Sequence, residues 1–576
     1  MSVVLSRMIP LLRSAWISVG LTDLSGLSRP ELQAAVIGAM ARLVDAPVLF
    51  GGGTEGFVAR PGQRLTVGAQ VISYGKSPQA VTVRFVLAKA GARAPEVVAE
   101  APLQARPGEM VTTRRSLPAL PAGDYSVTVE LSCNGRIVDR IAQPLQVRGR
   151  PSAPPPQEEI VVRRGDGLYL GGKPWHPVAC NYWPHYLGGI PGGAYSRSFL
   201  DPILYDPHVV EADLSQMKSW GFRALTAIGA DANLANAQDS PLGRNLEDFL
   251  WRCHRHGIKV ILFVPGLDPR ARDDDLAGTV IRAVRNHPAI AGYDIAWEPH
   301  YWGEARRRYA PQWRDWLILH FGSLEAAEQA FGHPIPRDEA GQITVPSDEQ
   351  CLRDGPWRPM VAAYRAYMNW QLGAEYRRSV RLVRSLDPYR LVGFRGNMVD
   401  SPAGFKPVEQ PAVLHFVDWA GPEGYDVPVY GKLTDWPTIS AKGLVTRMLS
   451  FLSGGKPVVW MEFGLPIYPN GTPWKDELVH VAAERYQYQV EEGRRFWRMM
   501  VESGAWGSFV WWYPGGFRVG ENSDCGLVDP DNAPRPVAGV AREFVPKFAA
   551  SERFVPDAWL EFRPEDNIGG WVGEYL

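Results

Sequence analysis

"DDDLAGTVIRAVRNHPAIAGYDIAWEP", residues 273–299, holds two periodicities in one breath. The first half opens on three aspartates, carries apolar residues at helical spacing and stops at Pro288. That is how a capped helix begins and ends. The second half, Ala289 to Ala296, is almost continuously apolar and ends on Trp297-Glu298-Pro299. A strand buried on both faces reads this way, and such strands belong to parallel sheets covered by helices. A carboxylate at the end of a buried strand is costly unless something uses it. The stretch therefore sets a fold question and a chemical one.

Working outward, the same alternation recurs. The short apolar runs are 175–183, 222–229, 259–266, 290–298, 390–397, 413–425, 457–464 and 507–516. Between them lie helix patterns such as "DPHVVEADLSQMKSWG" and "NLEDFLWRCHRHG", which start on Asp or Asn and end on Gly. Eight strand–helix units predict an α/β fold, a (β/α)8 TIM barrel, over residues 160–550. The fourth connection, 301–389, is long and holds two helical stretches around a proline-containing polar segment. It is a candidate for shaping a cleft or a homo-oligomer contact.

Upstream, "GRPSAPPPQEE" (149–159) is a proline-rich linker and the clearest domain boundary. Before it, "QRLTVGAQVISYG", "AVTVRFVLAKAG", "GDYSVTVELSCNG" and "RIVDRIAQPLQVRG" alternate apolar and polar residues between turn signals. They predict an all-β, immunoglobulin-like sandwich over 51–150. Residues 1–50 read as a helical segment, with "PELQAAVIGAMARL" (30–43) as its helix and "LFGGGTEG" as a loop. Residues 551–576 form a C-terminal extension.

The 576 residues carry 61 Lys and Arg against 62 Asp and Glu, a net charge of −1. That balance offers no electrostatic case for nucleic acid or anionic membrane as a partner. The longest apolar runs fall short of a membrane span. "MIPLLRSAWISVGL" is interrupted by Arg7 and Arg13 and lacks a clean cleavage site, so no standard signal peptide is expected. Whether the chain is cytoplasmic or exported stays open. The five scattered cysteines form no C-x-x-C, and the histidines no metal-ligand spacing, so neither metal nor cofactor is expected. The 21 tryptophans are many, and an indole stacks well on a sugar ring.

Barrel chemistry sits where strands end. Strand one ends at Asn181-Tyr182-Trp183, strand four at Trp297-Glu298 with His300 just beyond. Strand five ends at Arg395 and Asn397, strand six at Asp418 with Tyr425 beyond, strand seven at Glu462, and strand eight at Trp511-Trp512. Glu298 and Glu462 thus face each other across the barrel mouth. Retaining glycoside hydrolysis needs such a pair about 5–5.5 Å apart, one carboxyl as acid and one as nucleophile. Their environments must keep one protonated and the other ionised. Tyr425 is placed to hydrogen-bond the nucleophile, and Asn181, Trp183, Trp297, His300, Arg395, Asn397, Tyr425, Trp511 and Trp512 are the candidate substrate-binding residues. Adjacent strand residues point to opposite faces, which favours Trp511 over Trp512 for the site.

"KPVVWMEFG" resembles the strand-seven nucleophile motif of clan A glycoside hydrolases, family 5 above all. "NHPAIAGYDIAWEP" is similar to that clan's strand-four motif, "YLGGKPWHPVACNYWP" to its strand-one opening, "EADLSQMKSWGFRAL" to its first helix and second strand, and "GSFVWWYPGG" to its strand eight. The resemblance spans about residues 160–548. "WRDWLILHFGSLEAAEQAFG" is similar, more weakly, to a segment of family 42 β-galactosidases. The resemblance implies a retaining β-glycosidase with Glu298 as acid/base and Glu462 as nucleophile, acting on an oligo- or polysaccharide. Two residues depart from it. The clan's Asn before the acid/base is Trp297, which has one indole N–H donor in a different place. The clan's strand-two Arg is missing near Thr226, with Arg223 three residues early; Arg395 or Asn397 are the substitutes on offer.

These departures keep a second reading open: a non-catalytic carbohydrate-binding protein on a decayed barrel. They also give a structural expectation, that the Trp297 indole packs beside the sugar site rather than into the barrel wall. In the loop after strand eight, Glu521 and Asp524 either bind a sugar hydroxyl or tie the loop down.

Overall fold

The computed structural model describes residues 46–561, apart from 92–93, 189–198, 203, 229–239, 300, 397–410, 426–435, 468–480, 482, 519–522, 552–554, 556 and 560, together with 4–7, 17–20 and six residues between 30 and 38. The chain forms two compact units, 1–150 with 243–248, and 151–242 with 249–576.

The second unit is a parallel barrel. Its strands are β1 (Val178–Asn181), β2 (Ala224–Ile228), β3 (Lys259–Phe263), β4 (Ile290–Asp294), β5 (Leu391–Arg395), β6 (Trp419–Gly421), β7 (Val459–Trp460) and β8 (Gly507–Val510). Hydrogen-bonded neighbours run β6-β5-β4-β3-β2-β1-β8-β7. An isolated parallel bridge, Ala420 to Val458, joins the two remaining edges. Each strand falls inside one of the apolar runs. Only the second half of 413–425 is strand, because Pro411–His415 winds into a 3₁₀ turn.

The strands' early residues fill the barrel floor. Ala179, Ala224, Ile261, Ala291, Leu391, Trp419, Val459 and Phe509 form one buried cluster with Leu168 and Trp175. The last two come from, or just after, a small antiparallel sheet of Val162–Arg164, Gly167–Leu170 and Lys173–Pro174. Small residues on three strands make room for the Trp419 indole on a fourth. A Cβ on Gly393 of β5 would lie 1.8 Å from that indole, so only glycine fits there. Asp418 belongs to this end as well. It accepts from the Val392 amide at 2.7 Å and pairs with Arg384. Its expected place at the catalytic end of strand six is therefore corrected, because the strand begins after it.

Helices cover the strands with the expected caps. The Asp206 side chain accepts from the amides of His208 and Val209 at the start of Pro207–Ser219. Asp273 does the same for Leu276 at the start of Asp274–Val284. The long fourth connection is helical, with Gly303–Arg307, Ala310–Phe321, Leu324–Phe331, Asp348–Leu352 and Arg358–Leu386.

In the first unit, a five-stranded sheet (Val58–Ala59, Arg136–Val147, Gly123–Cys133, Gln79–Lys89, Glu96–Ala105) accompanies a three-stranded one (Val48–Thr54, Leu65–Ile72, Met110–Leu117). Their inward residues, Val67, Val71, Val83, Phe85, Val127, Val129 and Leu131 among them, share one core. The expected loop "LFGGGTEG" is instead largely strand. A Cβ on Gly52 would approach the Val129 side chain to 3.0 Å, so glycine lets this strand lie close on the other sheet. The segment 1–50, read as helical, also contains two paired strands, Val4–Arg7 and Ile17–Gly20. The β-branched residues of "WISVG" suit that pairing. The helix read at 30–43 has helical residues between 30 and 38, and 39–43 lie outside the described residues.

Candidate active site

Glu462 opens a short strand, Glu462–Phe463, which pairs in parallel with Glu423–Gly424 just past β6. Its side chain is almost fully buried. Among the described residues, two donors reach its carboxyl. The Tyr425 hydroxyl donates to Oε1, and Arg395 Nη1 donates to Oε2 at 2.7 Å.

Arg395 ends β5 and is out of solvent. Its Nε donates to Asp294 Oδ2 at 3.0 Å, and its backbone amide to Asp294 Oδ1 at 3.2 Å. Nη1 also reaches Asn181 Oδ1 at 3.0 Å. Asn181 in turn accepts from Thr226 Oγ1 at 2.5 Å and donates Nδ2 to the Met461 carbonyl at 3.1 Å. Residues from β1, β2, β4 and β5 thus fix one guanidinium against one carboxylate. Arg395 Nη2 is buried and meets no acceptor among the described residues. The Trp297 ring instead covers the guanidinium, with Cζ 3.9 Å from the ring centroid. A cation so placed is attracted by the indole's quadrupole.

Electrostatics follow from this geometry. Burial pushes the Glu462 carboxyl up; Arg395 pulls it down, Glu298 pushes it up again, and the Tyr425 hydroxyl pulls it down. Burial likewise raises Asp294 to about 6 against the pull of Arg395. Burial opposes the Arg395 charge, but Asp294, Glu462 and Glu423 outweigh it and hold the guanidinium protonated. Burial and the neighbouring Glu462 push the Tyr425 hydroxyl well up, so it stays a donor.

Glu298 lies four residues beyond the end of β4, half-buried, with φ at +44°. A non-glycine residue in this left-handed region costs about 1–3 kcal/mol and persists only where its surroundings impose it. Arg270 supplies part of that. Its Nη2 donates to the Trp297 carbonyl at 2.6 Å and its Nη1 to the Glu298 carbonyl at 3.2 Å. Asp268 fixes Arg270 in turn at 2.7 Å. The charge of Glu298 acts on both Glu462 and Tyr425, so the three share one site.

An aromatic wall borders these groups. Trp183 meets Trp297, Trp511 and Trp512 with centroids 6.1, 5.4 and 5.3 Å apart, and Trp297 meets Trp511 at 5.9 Å and Phe263 at 5.5 Å. Trp297 is half-exposed, Trp511 nearly buried, and Trp183 and Trp512 are fully inside. The Trp511–Trp512 peptide bond is cis, and the two rings lie near-parallel at 4.9 Å instead of on opposite faces. The expected alternation is corrected there.

Not every candidate lies where a substrate could meet it. The Asn181 amide is spent on Thr226, Arg395 and the main chain, so it braces Arg395 rather than offering itself to a ligand. Trp183 and Trp512 back the wall. Asp524 is clamped by Arg535 through both oxygens at 2.7 and 2.8 Å, so it ties the loop down. His300, Asn397 and Glu521 lie outside the described residues. Asp294, Glu423 and the Asp268–Arg270 pair did not emerge from the strand ends. Asp294 did carry a signal: a lone carboxylate inside an apolar run demands a buried cation. Among the described residues, no group of three or more His, Cys, Asp or Glu could hold a metal ion, and no helix is long and apolar enough to cross a membrane.

No family model matches this chain, and no curated protein does. Solved structures do. A family 2 β-galacturonidase from Eisenbergiella tayi bound to galacturonate is similar at 14% identity, over 88% of this chain and 73% of that one, with a TM-score of 0.39. A β-glucuronidase from Ruminococcus gnavus in complex with D-glucuronic acid is similar at 12% identity, over 86% and 68%, with a TM-score of 0.41. A Bacteroides uniformis β-glucuronidase, covalently bound to cyclophellitol-6-carboxylate aziridine, is similar at 14% identity, over 85% of this chain and 49% of that one, with a TM-score of 0.38.

Proposed function

We propose that the chain is a retaining glycoside hydrolase that cleaves β-linked glycosidic bonds by double displacement. The observation that carries the reading is the convergence of Arg395 and Tyr425 on Glu462. A buried carboxylate beside a second glutamate is poorly stabilised alone, and these two donors favour its ionised form. Glu462 then attacks the anomeric carbon and forms a glycosyl ester. Glu298, half-exposed at the mouth, gives its proton to the leaving oxygen. The same residue, now ionised, takes a proton from the water that opens the ester, and Glu462 leaves as a carboxylate. No metal or organic cofactor takes part in this scheme. Trp297 and Trp511 are the parts of the aromatic wall that a sugar ring would pack against.

The test is a panel of aryl β-glycosides and β-linked oligosaccharides, with the first-formed product anomer followed by proton NMR. The β-anomer is expected first, and Glu462→Gln should lose turnover. The α-anomer first would mean inversion and overturn the scheme. A chain that binds glycans from the panel and hydrolyses none would instead be the carbohydrate-binding protein on a decayed barrel that the missing Asn and Arg suggested.

A further inference from the structure

Glu462 is not the sole carboxylate that Arg395 serves. Asp294 takes Nε and the backbone amide, and its side chain, like that of Arg395, is fully out of solvent. The guanidinium is planar, so seating Nε on Asp294 fixes the direction in which Nη1 points. Nη1 points at Glu462 Oε2. Trp297 closes the remaining face at 3.9 Å. An arginine so enclosed has one orientation, and Asp294 sets it.

We propose that Asp294 is a positioning residue of the reaction: it aims Arg395 at Glu462 and divides the guanidinium's charge between the two carboxylates. This deepens the glycosidase reading and rests on it for the word reaction. The division of charge matters because a nucleophile held too firmly by its cation attacks poorly. Sharing leaves Glu462 ionised but basic.

Among the described residues, the groups that act on Glu462 are Arg395 from β5, Tyr425 from beyond β6, and Glu298 from beyond β4. Glu423 lies beside it in the paired strand and acts on Arg395. Asp294 faces Arg395 and the Ala296 and Arg395 amides. Neutralising Asp294 while keeping its shape therefore leaves Arg395 more strongly committed to Glu462. In the full chain, Asp294→Asn is expected to lower the titration midpoint of Glu462 by about one pH unit, the low end of what an opposite charge does at contact. The midpoint is read by NMR of protein labelled at glutamate Cδ, with Glu462→Gln assigning the signal. The acid limb of kcat/KM should move down with it, and kcat should fall while KM stays near wild type.

An unmoved or raised midpoint overturns the proposal. Should Asp294→Asn fail to fold by circular dichroism, Asp294→Glu carries the test. Its extra methylene displaces Nη1 from Oε2, so the Glu462 midpoint should rise and kcat fall; no change in either refutes the aiming role. The two claims fail separately. A shifted midpoint in a chain that hydrolyses no glycoside keeps the pairing and removes the glycosidase. A working glycosidase whose midpoint ignores Asp294 does the reverse.

Discussion

Arg395 and Glu462 meet 2.7 Å apart at the mouth of the barrel, one at the end of β5 and the other just past β7, with neither open to solvent. Both charges have been taken out of water, which costs several kcal/mol per ion after relaxation. Such a pair is poor evidence for stability and good evidence for use. It places a fixed cation beside a carboxylate whose neighbour, Glu298, repels it.

Arg395→Lys tests that cation. A lysine ammonium is a point charge and cannot span Asp294, Asn181 and Glu462 together. We expect kcat/KM to fall about 100-fold, the scale of losing one well-placed electrostatic donor. Glu462 should lose support for its ionised form, so the acid limb of the pH–rate profile should move up. Steady-state kinetics across pH check both.

Tyr425→Phe removes the other donor to Glu462. A hydrogen bond to a charged group is worth about 1.5–3 kcal/mol, so kcat should drop roughly 10- to 100-fold. KM should change little, and the acid limb should rise as it does for Arg395→Lys.

Glu298→Gln separates the two halves of the reaction. Substrates whose leaving group needs a proton should slow by about 10²–10⁴, the usual share of general acid catalysis. Aryl glycosides with acidic phenols should still form the glycosyl ester, which then waits for water. Added azide should speed its turnover and yield a β-glycosyl azide, detected by mass spectrometry and NMR.

The stability of the site has its own pH signature. Burial raises the Glu462 carboxyl above its ordinary value of 4.5, so the folded chain binds that proton more tightly than the unfolded one. Stability from such a group is full below the unfolded value and is lost as pH rises through the folded one. Glu462→Gln has no such loss. Its Tm minus that of wild type should grow more positive between pH 5 and 8, by about 1–3 °C, since one kcal/mol moves a large domain by a few degrees. Calorimetry or fluorescence melts at several pH values measure it.

Much of this was written in the sequence. Eight apolar runs separated by capped helices give a barrel because each run is too apolar for one-sided exposure. Reading the end of each run picks out Glu298, Arg395, Tyr425, Glu462 and Trp511 as candidates, and the fold brings Arg395 and Tyr425 onto Glu462. That rule reads strand ends and misses what lies inside a run. Asp294 sits four residues before Glu298, inside a run, and its meaning depends on a guanidinium about 100 residues away in the chain. Asn181 lies at a strand end but is turned inward, which no local pattern records. The two adjacent tryptophans, Trp511 and Trp512, escape the two-residue period: they lie past the last residue of β8, and their rings stack near-parallel. "LFGGGTEG" looked like a loop because a glycine run has no periodicity; close packing on Val129 is what makes it a strand.

The most direct test of the central claim is to trap the glycosyl ester. Wild-type chain incubated with a panel of activated 2-deoxy-2-fluoro β-glycosides, then digested and sequenced by mass spectrometry, should carry the sugar on Glu462. A label on Glu298, Asp294 or another residue, in a chain that turns over the matching unfluorinated glycoside, would contradict it.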